Sequence, residues 1–221
     1  MGSMLTHPRS GYNVTVTARA FRAAVERLTA LDPALAAIVE TYGSPPVWRR
    51  EPGFATLVLL ILEQQVSLAS AKAAFDRLAA RLGGAVAPAP FLVLDDATLR
   101  EVGFSRQKTR YVRALATAVL ERTLDLDGLE NVSDEAARAA LVTVPGIGPW
   151  TADVYLLACL GRSDVWPSGD IALQAAAHRA KGLPARPNAA ELALLGEQWR
   201  PHRSTAAQLL WHMYLGDAGR L

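Results

Sequence analysis

The chain has a single cysteine, Cys159, among its 221 residues, which excludes an intramolecular disulfide and the four-cysteine sets that hold zinc or an iron-sulfur cluster. Its four histidines (His7, His178, His202 and His212) form neither an HExxH nor an HxH pair, so a transition-metal site built by the protein is not expected. Long apolar runs are missing too. The longest, Phe54 to Leu62, falls well short of the ~20 residues needed to cross a bilayer, and the N-terminus has no charged region leading into an apolar one. These absences describe a soluble, intracellular protein. Lysine is scarce, with only Lys72, Lys108 and Lys181 among 23 basic side chains, and the net charge of +2 is too mild to name a nucleic-acid partner by itself.

What the chain does have is helix. Hydrophobic residues make up 51% and charged residues 20%, ordinary globular usage, and the length suits one domain or two small ones. Ala18, Phe21, Val25 and Leu28 fall at helical spacing behind Thr17, and Phe54, Leu57, Val58, Ile61 and Leu62 form a second stripe. Ser67 caps a helix from Leu68 to Leu82, Asp96 a short turn before Gly103, Ser105 a helix from Arg106 to Arg122, and Ser133 one from Asp134 to Val142. Pro149 opens Trp150 to Leu160, and three further helices run from Asp170 to Ala180, Asn188 to Trp199 and Ser204 to Leu215. The expected fold is all-α, with roughly ten helices joined by short turns, and with Pro88 to Pro90 and Asp125 to Val132 as irregular links. Residues 1–17 form a tail or a short strand, since Tyr12 to Thr17 alternates. Residues 18–221 form one helical domain of two lobes that do not fold separately and leave a cleft between them.

The most specific segment is Leu141 to Asp153, in which Pro145-Gly146-Ile147-Gly148 joins two helices. Glycines allow backbone conformations closed to other residues and leave no side chain to block a partner, while the helix opening at Pro149 turns its positive dipole end and unpaired N–H groups to the same place. Such a corner seats a phosphate, with Ile147 as the apolar plug beneath it. Taken alone it is equally the corner of an αα-hairpin. Basic residues cluster at Arg106, Lys108, Arg110 and Arg113, at Arg49-Arg50 and at Arg200 to Arg203, and a solvated helix face explains any one cluster as well as DNA does.

The string Val144-Pro-Gly-Ile-Gly-Pro-Trp-Thr-Ala-Asp153 resembles the helix-hairpin-helix of the DNA glycosylase superfamily. Asp164-Val-Trp-Pro167-Ser-Gly-Asp170 is similar to the loop carrying that family's catalytic aspartate, and Ile61-Leu-Glu-Gln-Gln65-Val-Ser67 to its wedge loop. Trp199 to Ser204 with Trp211 is similar to the C-terminal helix of the 3-methyladenine DNA glycosylase II branch, so the resemblance spans Phe54 to Leu215. The best-known members of that branch carry an N-terminal β domain, for which the residues before Phe54 leave too little chain; the resemblance is to a compact form.

The resemblance implies excision of alkylated bases such as 3-methyladenine and 7-methylguanine from double-stranded DNA in base excision repair. It assigns catalysis to Asp170, whose other reading is a helix N-cap, and leaves Asp153 a structural acid. Trp150 and Trp211 match base-pocket positions, with Trp48 and Tyr155 as weaker candidates, although each aromatic serves core packing as well. Gly146, Ile147, Gly148, Gln64, Gln65 and Ser67 fall to DNA, with Gln65 as the wedge that fills the space of a flipped nucleotide. No cofactor is required, and the family implies a sodium or potassium ion on the main-chain carbonyls of Val142, Val144 and Ile147. Relatives that also cut the strand have a lysine where this chain has Trp150, so lyase chemistry is expected to be absent. A monomer is expected, in the cytoplasm of a bacterium or the nucleus of a eukaryote. The competing readings are a non-catalytic helix-hairpin-helix DNA-binding protein, an α-helical interaction scaffold, and a glycosylase for deaminated, oxidised or N1-alkylated bases.

Overall fold

A computed structural model describes residues 17–219 of the chain, and within them the fold is all-α: the described residues hold twelve α-helices and two 3-10 turns. In order these are α1 (Ala18–Leu31), α2 (Pro33–Tyr42), α3 (Phe54–Glu63), α4 (Leu68–Arg81), α5 (Pro88–Val93), α6 (Asp96–Glu101), α7 (Arg106–Leu120), α8 (Asp134–Val142), α9 (Pro149–Ala158), α10 (Ile171–Ala180), α11 (Ala189–Gly196) and α12 (Arg203–Asp217), with 3-10 turns at Gly128–Asn131 and Glu197–Trp199. The strand considered for Tyr12 to Thr17 lies almost wholly outside the described residues.

One expected link, Pro88 to Pro90, is in fact a helix, and α2 is a helix that the sequence pattern did not mark. Pro33 and Pro88 both sit in the first turn of a helix, where a missing N–H goes unnoticed and the fixed φ is already helical, so Pro88, expected in an irregular link, instead opens α5 as Pro33 opens α2. The short turn before Gly103 is capped one residue earlier than expected, by Asp95, which accepts from the Thr98 N–H at 2.8 Å. Thr17, Ser67, Ser105 and Ser133 cap as their sequence positions predict, and Asn188, expected as the first residue of a helix, caps α11.

The helices pack as two groups. Both ends of the described chain, α1, α2, α10 and α12, pack together, while α3 to α7 and the α8–α9 pair form the other group, with α9 against α3. One continuous set of buried side chains runs through both, from Phe21 and Leu35 through Leu57, Phe91 and Val112 to Leu156 and Leu209. Burial on this scale is the main source of stability, at roughly 25 cal/mol per Å² of apolar surface.

A buried polar clamp closes the terminal group. Asp32 caps α2 through Ala34 and also accepts from Lys181 Nζ at 2.9 Å and Trp199 Nε1 at 2.8 Å. Burial opposes its charge, but the donors from Lys181, Trp199 and Ala34 prevail and hold its pKa below the ordinary carboxylate value. The stability this confers is present above the ordinary carboxylate range and is lost as acid titrates the group through its depressed value. Replacing Asp32 with Ala strands the buried indole N–H of Trp199 and the partly buried ammonium of Lys181 and is expected to cost about 2 kcal/mol, read as a lower denaturant midpoint at unchanged slope. An unchanged midpoint would show that the clamp contributes nothing.

Candidate active site

The hairpin between α8 and α9 begins where α8 runs out at Val142. Ile147 is buried beneath the turn and its N–H donates to the Val144 carbonyl at 3.0 Å, as expected of a plug. The two glycines have different reasons to be there. Gly146 has φ +92°, and a Cβ on it would run into the ring of Tyr111 from α7; its carbonyl accepts from Gln64 Nε2 at 2.9 Å. This glycine is demanded by packing. Gly148 has φ −86° and nothing within 4 Å of the place a Cβ would take, and it precedes α9 without any side-chain cap on the helix's first N–H groups. Of the two, only Gly148 leaves the open approach and free amides that suit a phosphate.

Asp170 is the N-cap of α10, and its carboxylate is held on three sides. Oδ1 accepts from the Leu173 N–H at 2.7 Å and from Trp211 Nε1 at 3.1 Å, and Oδ2 accepts from Trp150 Nε1 at 2.7 Å. The preceding loop is pinned from below, where the Asp170 N–H donates to the Pro167 carbonyl and Gln174 reaches the Ser168 carbonyl. Trp166 anchors it, buried against Trp199 at a 5.2 Å ring separation with its indole N–H on the Leu192 carbonyl. The carboxylate is thus fixed in place by α9, α10 and α12 together, half-buried beside a cavity of about 840 Å³.

That cavity is the expected cleft. Its walls are the end of α3 with the following turn, one face of α7, the hairpin and start of α9, and the start of α10. Trp150 lines it. Trp48 and Trp211 stack on each other at 5.9 Å, with planes 24° apart, and Trp211 reaches the site through its bond to Asp170. Tyr155, a weaker pocket candidate in the sequence, is corrected. Its side chain is fully buried, its hydroxyl accepts from the Gly53 N–H at 2.8 Å, and burial pushes its pKa up to about 12, so it is a core residue. Asp153 pairs with Arg138 at 2.6 Å on the α8–α9 contact, and burial raises its pKa against the pull of that arginine, consistent with a structural role.

In the turn after α3, Gln65 stands exposed at φ +58°, a conformation uncommon for a non-glycine residue. Gln64 was expected to face DNA beside it. Instead it turns into the protein, donating to the Gly146 carbonyl and, at 3.0 Å, to Thr151 Oγ1. Ser67 caps α4 through the Ser70 N–H. Lys108, indistinct in sequence from its basic neighbours, reaches across from α7 to donate to the Leu62 carbonyl at 2.7 Å, and burial lowers its pKa. Tyr111 and Gln107 also line the cavity, and no sequence signal marked either.

The basic clusters read from sequence disperse into ion pairs. Arg113 bonds Asp96 at 2.7 Å, Arg50 bonds Glu63 at 2.9 Å, and Arg200 and Arg203 share Asp164 and Glu197. Arg106 and Arg110 stay exposed on α7, beside the cavity-lining Gln107 and Tyr111.

A family model described as HhH-GPD superfamily base excision DNA repair protein matches residues 58–201, which takes in the turn after α3, the hairpin and Asp170. The chain belongs to the HhH-GPD superfamily. A crystal structure of DNA-3-methyladenine glycosidase from Bacillus halodurans is 30% identical, with a TM-score of 0.75 over 89% of this chain and 91% of that one. The Schizosaccharomyces pombe 3-methyladenine DNA glycosylase Mag1, in complex with abasic DNA, is 26% identical, with a TM-score of 0.80 over 86% of this chain and 95% of that one. In Mycobacterium tuberculosis, a protein named "Probable bifunctional transcriptional activator/DNA repair enzyme AlkA" is 33% identical over 220 residues, 90% of this chain. The chain spans 42% of the length of that protein and 64% of a further relative, YfjP of Bacillus subtilis. Among the described residues of this HhH-GPD chain no helix is long and apolar enough to cross a membrane.

Proposed function

We propose that the chain is a monofunctional DNA glycosylase that hydrolyses the N-glycosidic bond of alkylated bases, 3-methyladenine and 7-methylguanine among them, in base excision repair. The observation that carries this reading is the Asp170 carboxylate, fixed by three N–H donors beside a cleft whose other wall is the uncapped start of α9. A carboxylate has about four lone-pair sites, and three are taken, which leaves one directed position for the reacting sugar or its water. As the bond between C1′ and the base breaks, the pair of electrons leaves with the base and positive charge grows on the deoxyribose. A fixed negative group there lowers the barrier without having to reorganise. Water then adds its oxygen to C1′ and gives its proton to the Asp170 carboxylate, from which it passes to solvent.

Alkylation at N3 of adenine or N7 of guanine makes the base cationic before it leaves, so little acid help is needed and an indole face attracts it by ~0.5–2 kcal/mol. Trp150 is the indole on the cavity wall, with its N–H committed to Asp170 and its ring available to the base. The relatives named for 3-methyladenine favour the same substrate class. Duplex DNA is the partner, a monomer the working form, and the compartment is the one that holds the genome.

The position that would hold a Schiff-base lysine carries Trp150, and the amine of Lys108 is committed to the Leu62 carbonyl, so strand cleavage by β-elimination is not part of the reaction. A sodium or potassium ion suits the hairpin in kind. Val142, Val144 and Ile147 all border the cavity and offer neutral oxygens near the carbonyl end of the α8 dipole, and the Val144 oxygen that accepts from Ile147 keeps a second lone pair. Such an ion would stiffen the turn and offset phosphate charge.

A panel of single-lesion duplexes, carrying alkylated, deaminated and oxidised bases in turn, tests the reading. Free alkylated base should be released first, intact abasic strands should accumulate, and borohydride should trap no protein–DNA adduct. Release of only oxidised or deaminated bases overturns the substrate class, and an adduct overturns the monofunctional mechanism.

A further inference from the structure

The turn that carries Gln65 is fastened at several points. Lys108 Nζ holds the Leu62 carbonyl at the end of α3, the Gln64 N–H closes on the Ile61 carbonyl, and Ser67 starts α4 as its cap. A non-glycine residue in the left-handed region persists only where its surroundings over-determine it, and here the surroundings include the hairpin itself. An amide nitrogen has two N–H groups to give, and Gln64 gives both to the hairpin: one to the Gly146 carbonyl at 2.9 Å, the other to Thr151 Oγ1 at 3.0 Å. On its opposite side Gly146 lies flat against the ring of Tyr111. The first glycine of the hairpin is therefore clamped between α7 and the turn after α3. The exposed Gln65 and the open Gly148 stand at the two ends of one braced unit.

We infer that Gln64 is a positioning residue: it locks the Gln65 turn to the hairpin, so that gripping the strand at Gly148 and driving Gln65 into the duplex happen as one rigid step. This inference rests on the glycosylase reading for its chemical readout but not for its mechanical one. Were the two loops independent, seating the strand would leave the wedge free to yield, and the energy of gripping could not be spent on unpairing.

Gln64→Met keeps the length and removes both donors. The test compares single-turnover excision of 7-methylguanine placed opposite cytosine with excision of the same base opposite an abasic-site analogue, where no pairing resists extrusion. The variant should slow by at least ~10-fold on the paired duplex and by less than ~3-fold on the unpaired one, because only the first needs the wedge to work against pairing. In parallel, 2-aminopurine at the target position should brighten when the parent binds and not when the variant does, with both bound. Thr151→Val, which removes one acceptor, should show the same pattern more weakly and serves if Gln64→Met does not fold. Equal slowing on both duplexes, or none, overturns the inference, as does unchanged brightening with the variant. If the parent brightens 2-aminopurine and the variant does not, yet the parent releases no base, the glycosylase reading fails while the coupling stands.

Discussion

Asp170→Asn is expected to bind lesion-containing duplex near the parental affinity and to release base at least ~100-fold more slowly, the scale of losing a fixed electrostatic partner of the transition state. The substitution removes the negative charge and does something more specific here. The carboxylate accepts three N–H bonds, through both oxygens, from Leu173, Trp150 and Trp211. Asparagine supplies one oxygen and one NH₂, so its nitrogen must face a donor: if the oxygen stays with Leu173 and Trp211, the indole N–H of Trp150 loses its partner. A modest loss of stability, about 1–3 kcal/mol, should therefore accompany the kinetic loss, and a melting curve measures it separately. The two effects come apart in Trp150→Phe, which leaves the charge while removing one of its holders and should show a smaller kinetic defect than Asp170→Asn. Turnover of the Asn variant near that of the parent would remove Asp170 from the mechanism.

The difference between what could be read from the chain and what required the structure follows the range of the interactions. Ser67, Ser105 and Ser133 were legible as caps because a cap and its N–H partner lie three residues apart, within reach of a local pattern. The hairpin and the cap role of Asp170 were legible for the same reason. Proline misled at Pro88, because as a token it marks both the end of one helix and the first turn of the next. What the local pattern cannot carry is who meets whom. Lys108, Arg110 and Arg113 look alike in sequence, but α7 turns the first to the Leu62 carbonyl and the last to Asp96, leaving Arg110 exposed. Gln64 and Gln65 are adjacent and identical, and the positive φ of the second sends their side chains to opposite fates. Tyr155 and Trp150 both lie in the α9 sequence, and only packing decides that one is core and the other cavity wall.

That same distinction separates the hairpin glycines, and it sets the second large effect. Gly148→Glu should fold as the parent does, because its φ is ordinary and its Cβ would enter open space. It would also put a carboxylate at the uncapped start of α9, where a phosphate is expected to sit. Like charges brought together at an interface cost several kcal/mol, so duplex affinity should fall by ~100-fold or more. The loss should be the same for damaged and undamaged duplexes and leave the rank order of lesions unchanged, since a phosphate contact carries no sequence information. Gly146→Ala is the contrasting variant. Its methyl group would meet the Tyr111 ring at a φ that alanine rarely adopts, so the expected loss is in folding stability. Fluorescence-anisotropy titrations with each duplex, beside circular dichroism of both variants, separate the two. Should folded Gly148→Glu bind both duplexes as tightly as the parent, the start of α9 is not a phosphate seat, and the hairpin's role reduces to the brace it forms with Gln64 and Tyr111.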